Sequence, residues 1–207
     1  MMAGFSWSAL SILTAYLLLF FWGTAETGRV NGQTAWLMGR TIGRDRWAAF
    51  GFRLAFACSL AGPLVWLIWP VLRELDPFWL ESGGAGLRLP GIFVAALGAM
   101  IAFAAQMSMG ASWRVGVIGS EVGALVTGGL FRVSRNPTFV GQFLLLAGVA
   151  LVIPAVPTFV APLLFLAAAK AQISSEEGML HSIHGSAYDE WARQVPRWVS
   201  LRLVRGN

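Results

Sequence analysis

Long apolar runs separated by short polar stretches set the pattern of this chain. Residues 5–22 carry no charged side chain and have about the length that a bilayer's hydrocarbon demands. No basic segment precedes them and no clean small-residue cleavage site follows, so they read as a retained first span and not as a signal peptide. Residues 23–47 are polar, and within them 34–38 predict a short helix lying along the interface. A second run covers 48–71, with Arg53 one turn inside and Trp66, Trp69 and Pro70 at its far end. Arg53 has the reach to snorkel to the near surface, and the two indoles suit an interfacial belt. A third run, 91–109, is rich in Gly, Ala and Met, which predicts close helix approach and a place inside the bundle.

After it comes a long polar stretch, 110–137, whose Trp, Phe and paired glycines argue against disorder. Two more apolar runs, 139–153 and 157–171, are separated only by Pro154, Ala155 and Val156 and predict a tight helical hairpin. From Ser174 the chain turns polar again. Ser174 or Ser175 predicts the cap of a new helix with Glu176 and Glu177 in its first turn. That helix would carry Leu180, Ile183, Ala187, Tyr188 and Trp191 on one apolar face. The tail, 193–205, alternates arginines with apolar residues as a surface-lying segment does.

The expected architecture is therefore all-α and polytopic, with about five transmembrane helices. Composition strengthens it: 57% of residues are hydrophobic and 12% charged, and ten Trp and fourteen Phe are present. Charge adds an orientation. Four arginines against two acids leave +2 in 23–47, two against three leave −1 in 72–90, and three against one leave +2 in 110–137. Alternation of this kind places the N-terminus outside and the C-terminus in the cytoplasm. The net +5 is accounted for by such loops and implies no nucleic-acid partner. Cys58 lies within an apolar run and reads as a small buried hydrophobe.

Candidate chemistry gathers in the polar stretch and beyond the hairpin. Pro137 suits the first turn of a helix, which places Asn136 at or beside its N-cap. Free amides and the positive end of the dipole there attract an anionic group. Arg132 and Arg135, just before Asn136, would equally serve as interfacial anchors. Topology sets Asn136 and Glu176 close together, because both lie at ends of hairpin partners on one membrane face. His181 and His184 are three apart, a chelating spacing, but they lack a third ligand and read as surface or packing residues, so no metal is expected. Tyr188 and Trp191 read as packing residues.

The order Ser-Trp-Arg-x-Gly from Ser112, Gly-Leu-Phe-x-x-Ser-Arg-Asn-Pro-x-Phe-x-Gly from Gly129, Glu176-Glu177, His-Gly-x-x-Tyr from His184 and Val-Pro-Arg-Trp from Val195 resembles the bacterial branch of the isoprenylcysteine carboxyl methyltransferases. That family is related to the membrane phospholipid methyltransferases. The resemblance spans 109–198 and implies a methyltransferase core at 109–207 preceded by three spans in 1–108. It implies S-adenosylmethionine as cofactor, held in a cytoplasmic pocket built from the C-terminal half, with Gly129, Leu130, Arg135, Asn136, Pro137, Phe139, Glu176 and Glu177 around it. Arg135, Asn136 and Glu177 would be the catalytic group. Trp113, Arg114, Gln172 and Arg197 would face the acceptor, a small or lipid-soluble molecule: an isoprenylcysteine carboxylate, a thiol or a lipid. Asn136 and Phe139 stand where the commonest version has His and Tyr. Gln172 stands where eukaryotic members carry an arginine that grips the substrate carboxylate, with Lys170 the nearest cation. A membrane subunit that kept the fold without catalysis is the alternative reading. A bacterial inner-membrane location follows from the same resemblance.

Overall fold

The computed structural model describes residues 2–32, 34–37, 43–78, 85–116 and 123–199. Six α-helices occupy most of them: α1 (Met2–Asn31), α2 (Gly43–Ile68), α3 (Ala85–Met109), α4 (Pro137–Val152), α5 (Val156–His184) and α6 (Ser186–Gln194). By length and composition α1, α2, α3 and α5 are long and apolar enough to cross a membrane, whereas α4 has 16 residues. The all-α, polytopic architecture stands, with one of the five expected spans shorter than the rest. Glu121 and the tail beyond 199 lie outside the described residues.

α1 runs nine residues past the apolar stretch that predicts it. Within that extension Thr24 and Thr27 satisfy their hydroxyls by donating to the carbonyls four residues back, at 2.8 and 3.0 Å. The expected interfacial helix is not formed at 34–37, and residue 38 lies outside the described residues. The chain there is extended instead. Leu37 donates its N–H to the Val115 carbonyl and Val115 donates to that of Ala35, both at 2.8 Å. This two-residue pairing ties the connection after α1 to the start of the polar stretch, and it satisfies backbone groups that a short helix would have left open.

α3 and α4 meet along a seam of small residues. Gly91 and Gly98 face Gly148 and Gly141, each pair seven residues apart on its own helix. A Cβ on Gly98 would lie 2.3 Å from the Leu145 nitrogen, and one on Gly141 2.4 Å from the Ala102 nitrogen. The backbones are therefore in direct contact. α3 is not inside the bundle as its composition predicts. Phe93 and Met100 on its far face are 75% and 68% exposed. The small residues serve one close contact, and the other side is free to face lipid.

α2 packs on α5 in the same manner, with Gly51 against Ala168 and Gly62 against Thr158. Leu13, Phe52, Leu145, Phe165 and Ile173 form the shared core of α1, α2, α4 and α5. The hairpin between α4 and α5 is as tight as expected. Its amides are satisfied by Asp76, which accepts the Val156 N–H at 2.8 Å, and by Thr158, which accepts the Ala155 N–H at 3.1 Å.

α5 then differs from the expectation. No helix begins at Ser174 or Ser175, because α5 continues unbroken through both glutamates to His184. Ser175 donates instead to the Asp45 carboxylate on α2 at 2.6 Å. The break comes at Gly185 (φ 52), so Leu180 and Ile183 lie on α5 while Ala187, Tyr188 and Trp191 lie on α6.

Candidate functional site

The C-terminal ends of α1, α3 and α5 and the N-terminal ends of α2 and α4 meet at one end of the molecule. Asn31 donates to the Ala111 carbonyl at 2.9 Å and the Trp113 indole to Thr24 at 3.0 Å, closing that end. Beneath lies a cavity of about 500 Å³. It runs from the charged helix ends to the apolar middle of the bundle.

At the charged end, Gly129 adopts φ 58 and opens the short 3-10 turn Gly129–Arg132, which delivers the chain to α4. Pro137 is the first residue of α4 as expected, and Asn136 occupies the N-cap position. The Asn136 side chain does not cap, however. It donates to the Arg197 carbonyl at 2.9 Å, while Ser134 accepts the Asn136 N–H at 3.0 Å. Arg135 donates its N–H to the Pro196 carbonyl at 2.9 Å. Residues 195–198 are thereby laid as a strap across 134–136.

Glu177 binds this arrangement together. Arg135 approaches it at 3.2 Å, and Arg197 donates Nε at 3.1 Å and a second nitrogen to the other carboxylate oxygen. The carboxylate is about five-sixths buried, so the two guanidinium groups compensate a charge largely removed from water. Hydrogen bonding to Glu177 pushes the Arg197 guanidinium further up from its ordinary range. Arg135 also donates to the Tyr188 hydroxyl at 2.9 Å. Burial, reinforced by the Glu177 charge, raises the Tyr188 phenol above its usual value, so it stays protonated. Asn136 and Glu176, expected to be neighbours, line the same cavity, and the direct contact at this end is between Arg135 and Glu177.

One turn deeper on α5, Gln172 donates Nε2 to Glu176 at 2.9 Å. Below it the wall becomes aromatic. Phe52 stacks on Phe139 at 5.6 Å and Tyr16 on Phe56 at 6.1 Å. Gln142 donates to the Tyr16 hydroxyl at 2.6 Å.

Trp113, Arg114, Arg135, Asn136, Pro137, Phe139, Gln172, Glu176 and Glu177 all line the cavity. Gly129, Leu130 and Arg197 do not: the first two build the turn before Arg135, and Arg197 closes over Glu177 from outside. Lys170 is exposed and also away from the wall. His181 pairs with Asp189 at 2.7 Å. The cavity is not built from the C-terminal half alone, because α1 and α2 supply Tyr16, Phe20, Phe52 and Phe56. Tyr188 also does more than pack, since it is the hydroxyl partner of Arg135. Tyr16 and Gln142 carried no motif. Their only signal is a polar group in the middle of an apolar run, which in a membrane span is costly unless used.

Residues 87–187 match the family model for phospholipid methyltransferase. No curated protein matches the chain. Among solved structures it resembles the eukaryotic intramembrane Ras methyltransferase ICMT (isoprenylcysteine carboxyl methyltransferase), with a TM-score of 0.55 and 22% sequence identity. The likeness covers 72% of this chain but 51% of that one, so the chain spans about half the length of the protein it resembles. The match takes in α3, the polar stretch, α4 and α5, the elements that carry the charged end of the cavity. The chain is thus a helical membrane protein whose fold resembles that of ICMT and whose residues 87–187 are similar to the phospholipid methyltransferases.

Proposed function

We propose that the protein is an integral membrane methyltransferase that uses S-adenosylmethionine to methylate a small or lipid-soluble acceptor. One observation carries the reading: a single cavity is charged where it meets the helix ends and aromatic where it enters the bundle. That polarity suits a zwitterionic cofactor at one end and a hydrocarbon-bearing acceptor at the other.

The residues present fit the cofactor. Arg114 Nη1 and Arg135 Nε are buried donors without partners among the described residues, and both side chains line the cavity. They suit a carboxylate. Glu176 and Glu177 offer acceptors for an amino or hydroxyl group, and Phe139, Tyr188 and Trp191 offer aromatic faces for a base or a cation. Bound there, the cofactor supplies an activated methyl group on sulfur. The protein's part is alignment and exclusion of water, which can account for much of the acceleration of an in-line displacement. Arg135, held by both Glu177 and Tyr188, fixes the charged end. Trp113 and Gln172 bound the acceptor side, and Arg197 keeps the strap closed. Asn136 positions that strap and is not a proton carrier.

The 1–108 segment acts in this reading as more than an anchor, since it furnishes part of the acceptor wall to the 109–207 core. Arginine-rich connections put the charged end at the cytoplasmic face of a bacterial inner membrane, with the N-terminus outside. Purified protein incubated with labelled S-adenosylmethionine and membrane lipid or thiol extracts should label a lipid-soluble product. A well-folded protein that neither binds the cofactor nor labels any extract would instead be a non-catalytic subunit with the same fold.

A further inference from the structure

Gln172 is 1% exposed, lines the cavity and is only half satisfied. Its Nε2 donates to Glu176 Oε1 at 2.9 Å. Oε1 is left as a buried acceptor with no hydrogen-bond partner among the described residues. A buried amide oxygen without a donor is costly, and a ligand bringing a donor to it recovers that cost.

A second polar atom on the same wall is complementary. The Tyr16 hydroxyl receives the Gln142 N–H at 2.6 Å and donates to no described acceptor. Both Tyr16 and Gln142 are buried, and both line the cavity. Among the described residues, the aromatic half of the cavity therefore presents an acceptor and a donor left unmet among carbon surfaces.

We infer that Gln172 selects the acceptor: the lipid-soluble molecule that enters this cavity carries a headgroup with a polar hydrogen, a hydroxyl, thiol or amine, and not a free carboxylate. The inference rests on the proposed use of the cavity as an acceptor site. A hydroxyl-type group can donate to Gln172 Oε1, and Tyr16 offers a hydrogen to a ligand elsewhere on the same wall. A carboxylate has no hydrogen to give and would set its charge against the amide oxygen and beside Glu176. In the methyltransferase reading the unmet donors of Arg114 and Arg135 are taken by the cofactor's carboxylate. Arg53, the remaining cation on the wall, comes from α2.

The test is a binding measurement on the whole protein in nanodiscs, read as relief of tryptophan quenching by a bromoalkane and corrected with empty discs. The probes are dodecanol, its methyl ether and dodecanoate, which share a chain and differ in what the head can donate. Dodecanol is expected to bind about tenfold or more tighter than either of the others, the range for one buried unmet hydrogen bond. In Gln172→Met, which keeps the volume and removes the acceptor, its advantage over the ether should shrink to about twofold. Gln172→Arg should bring dodecanoate to the front, because the forked cation now holds a carboxylate. Equal binding of the ether or of dodecanoate to the unaltered protein, or a preference that survives in folded Gln172→Met, overturns the inference. Cofactor titration of the same sample keeps the two ideas apart: absent cofactor binding with an intact alcohol preference would count against the methyltransferase reading and not against Gln172.

Discussion

Tyr188 shows how much a single hydroxyl governs at the charged end. It is the neutral acceptor on Arg135, whose other partner is Glu177. Tyr188→Phe removes that acceptor and frees the guanidinium to rotate, at a cost of about 0.5–1.5 kcal/mol. Cofactor affinity should fall about two- to tenfold by calorimetry, with the melting temperature within a few degrees of the parent. Because burial raises the phenol's pKa, its proton remains bound through neutral and mildly alkaline pH. The Tyr188 contribution should therefore be flat from about pH 6 to 9 and be lost only above the phenol's ordinary value of about 10. A break near neutrality would assign the hydroxyl another role. The sequence marks Pro137 as the start of α4 because proline's fixed φ acts locally. It does not show that the Asn136 amide reaches the Arg197 carbonyl, since that partner lies 61 residues away and is set by tertiary packing.

At the scale of elements, the α3–α4 seam is the feature with the least room. Gly98→Ala places a methyl where the Leu145 nitrogen already stands, and Gly141→Ala does the same against Ala102. Each should destabilise the protein by about 1–3 kcal/mol or more, seen as a lower melting temperature in detergent. Gly178→Ala on α5 meets nothing within 4 Å and should be neutral or slightly stabilising, since alanine favours helix. Equal effects at Gly98 and Gly178 would mean that the helices do not approach this closely. The small residues of 91–109 are legible as a packing signal, but not the number of neighbours they serve. The run at 174–177 misleads for a related reason: polar residues look like a helix start, yet inside a bundle their side chains have partners. Ser175 with Asp45 and Gln172 with Glu176 let α5 continue.

For the whole molecule, apolar run length carries most of the fold, because a bilayer sets the length of any helix that crosses it. The contribution of α1 and α2 to the cavity was not legible, since aromatic residues in a span look alike whether they face lipid or a ligand. If the proposed orientation holds, reporter fusions at Gly84 and Asn207 should report opposite sides of the membrane. Matching reports would show that α4, with 16 residues, does not cross. The central claim is that the charged end of the cavity binds S-adenosylmethionine, and calorimetric titration of the purified protein tests it most directly. The account predicts saturable binding, weakened about ten- to a hundredfold in a folded Glu176→Gln/Glu177→Gln variant, the cost of charge-assisted hydrogen bonds worth about 1.5–3 kcal/mol. No binding by the folded parent, or binding that the double variant leaves unchanged, would contradict it.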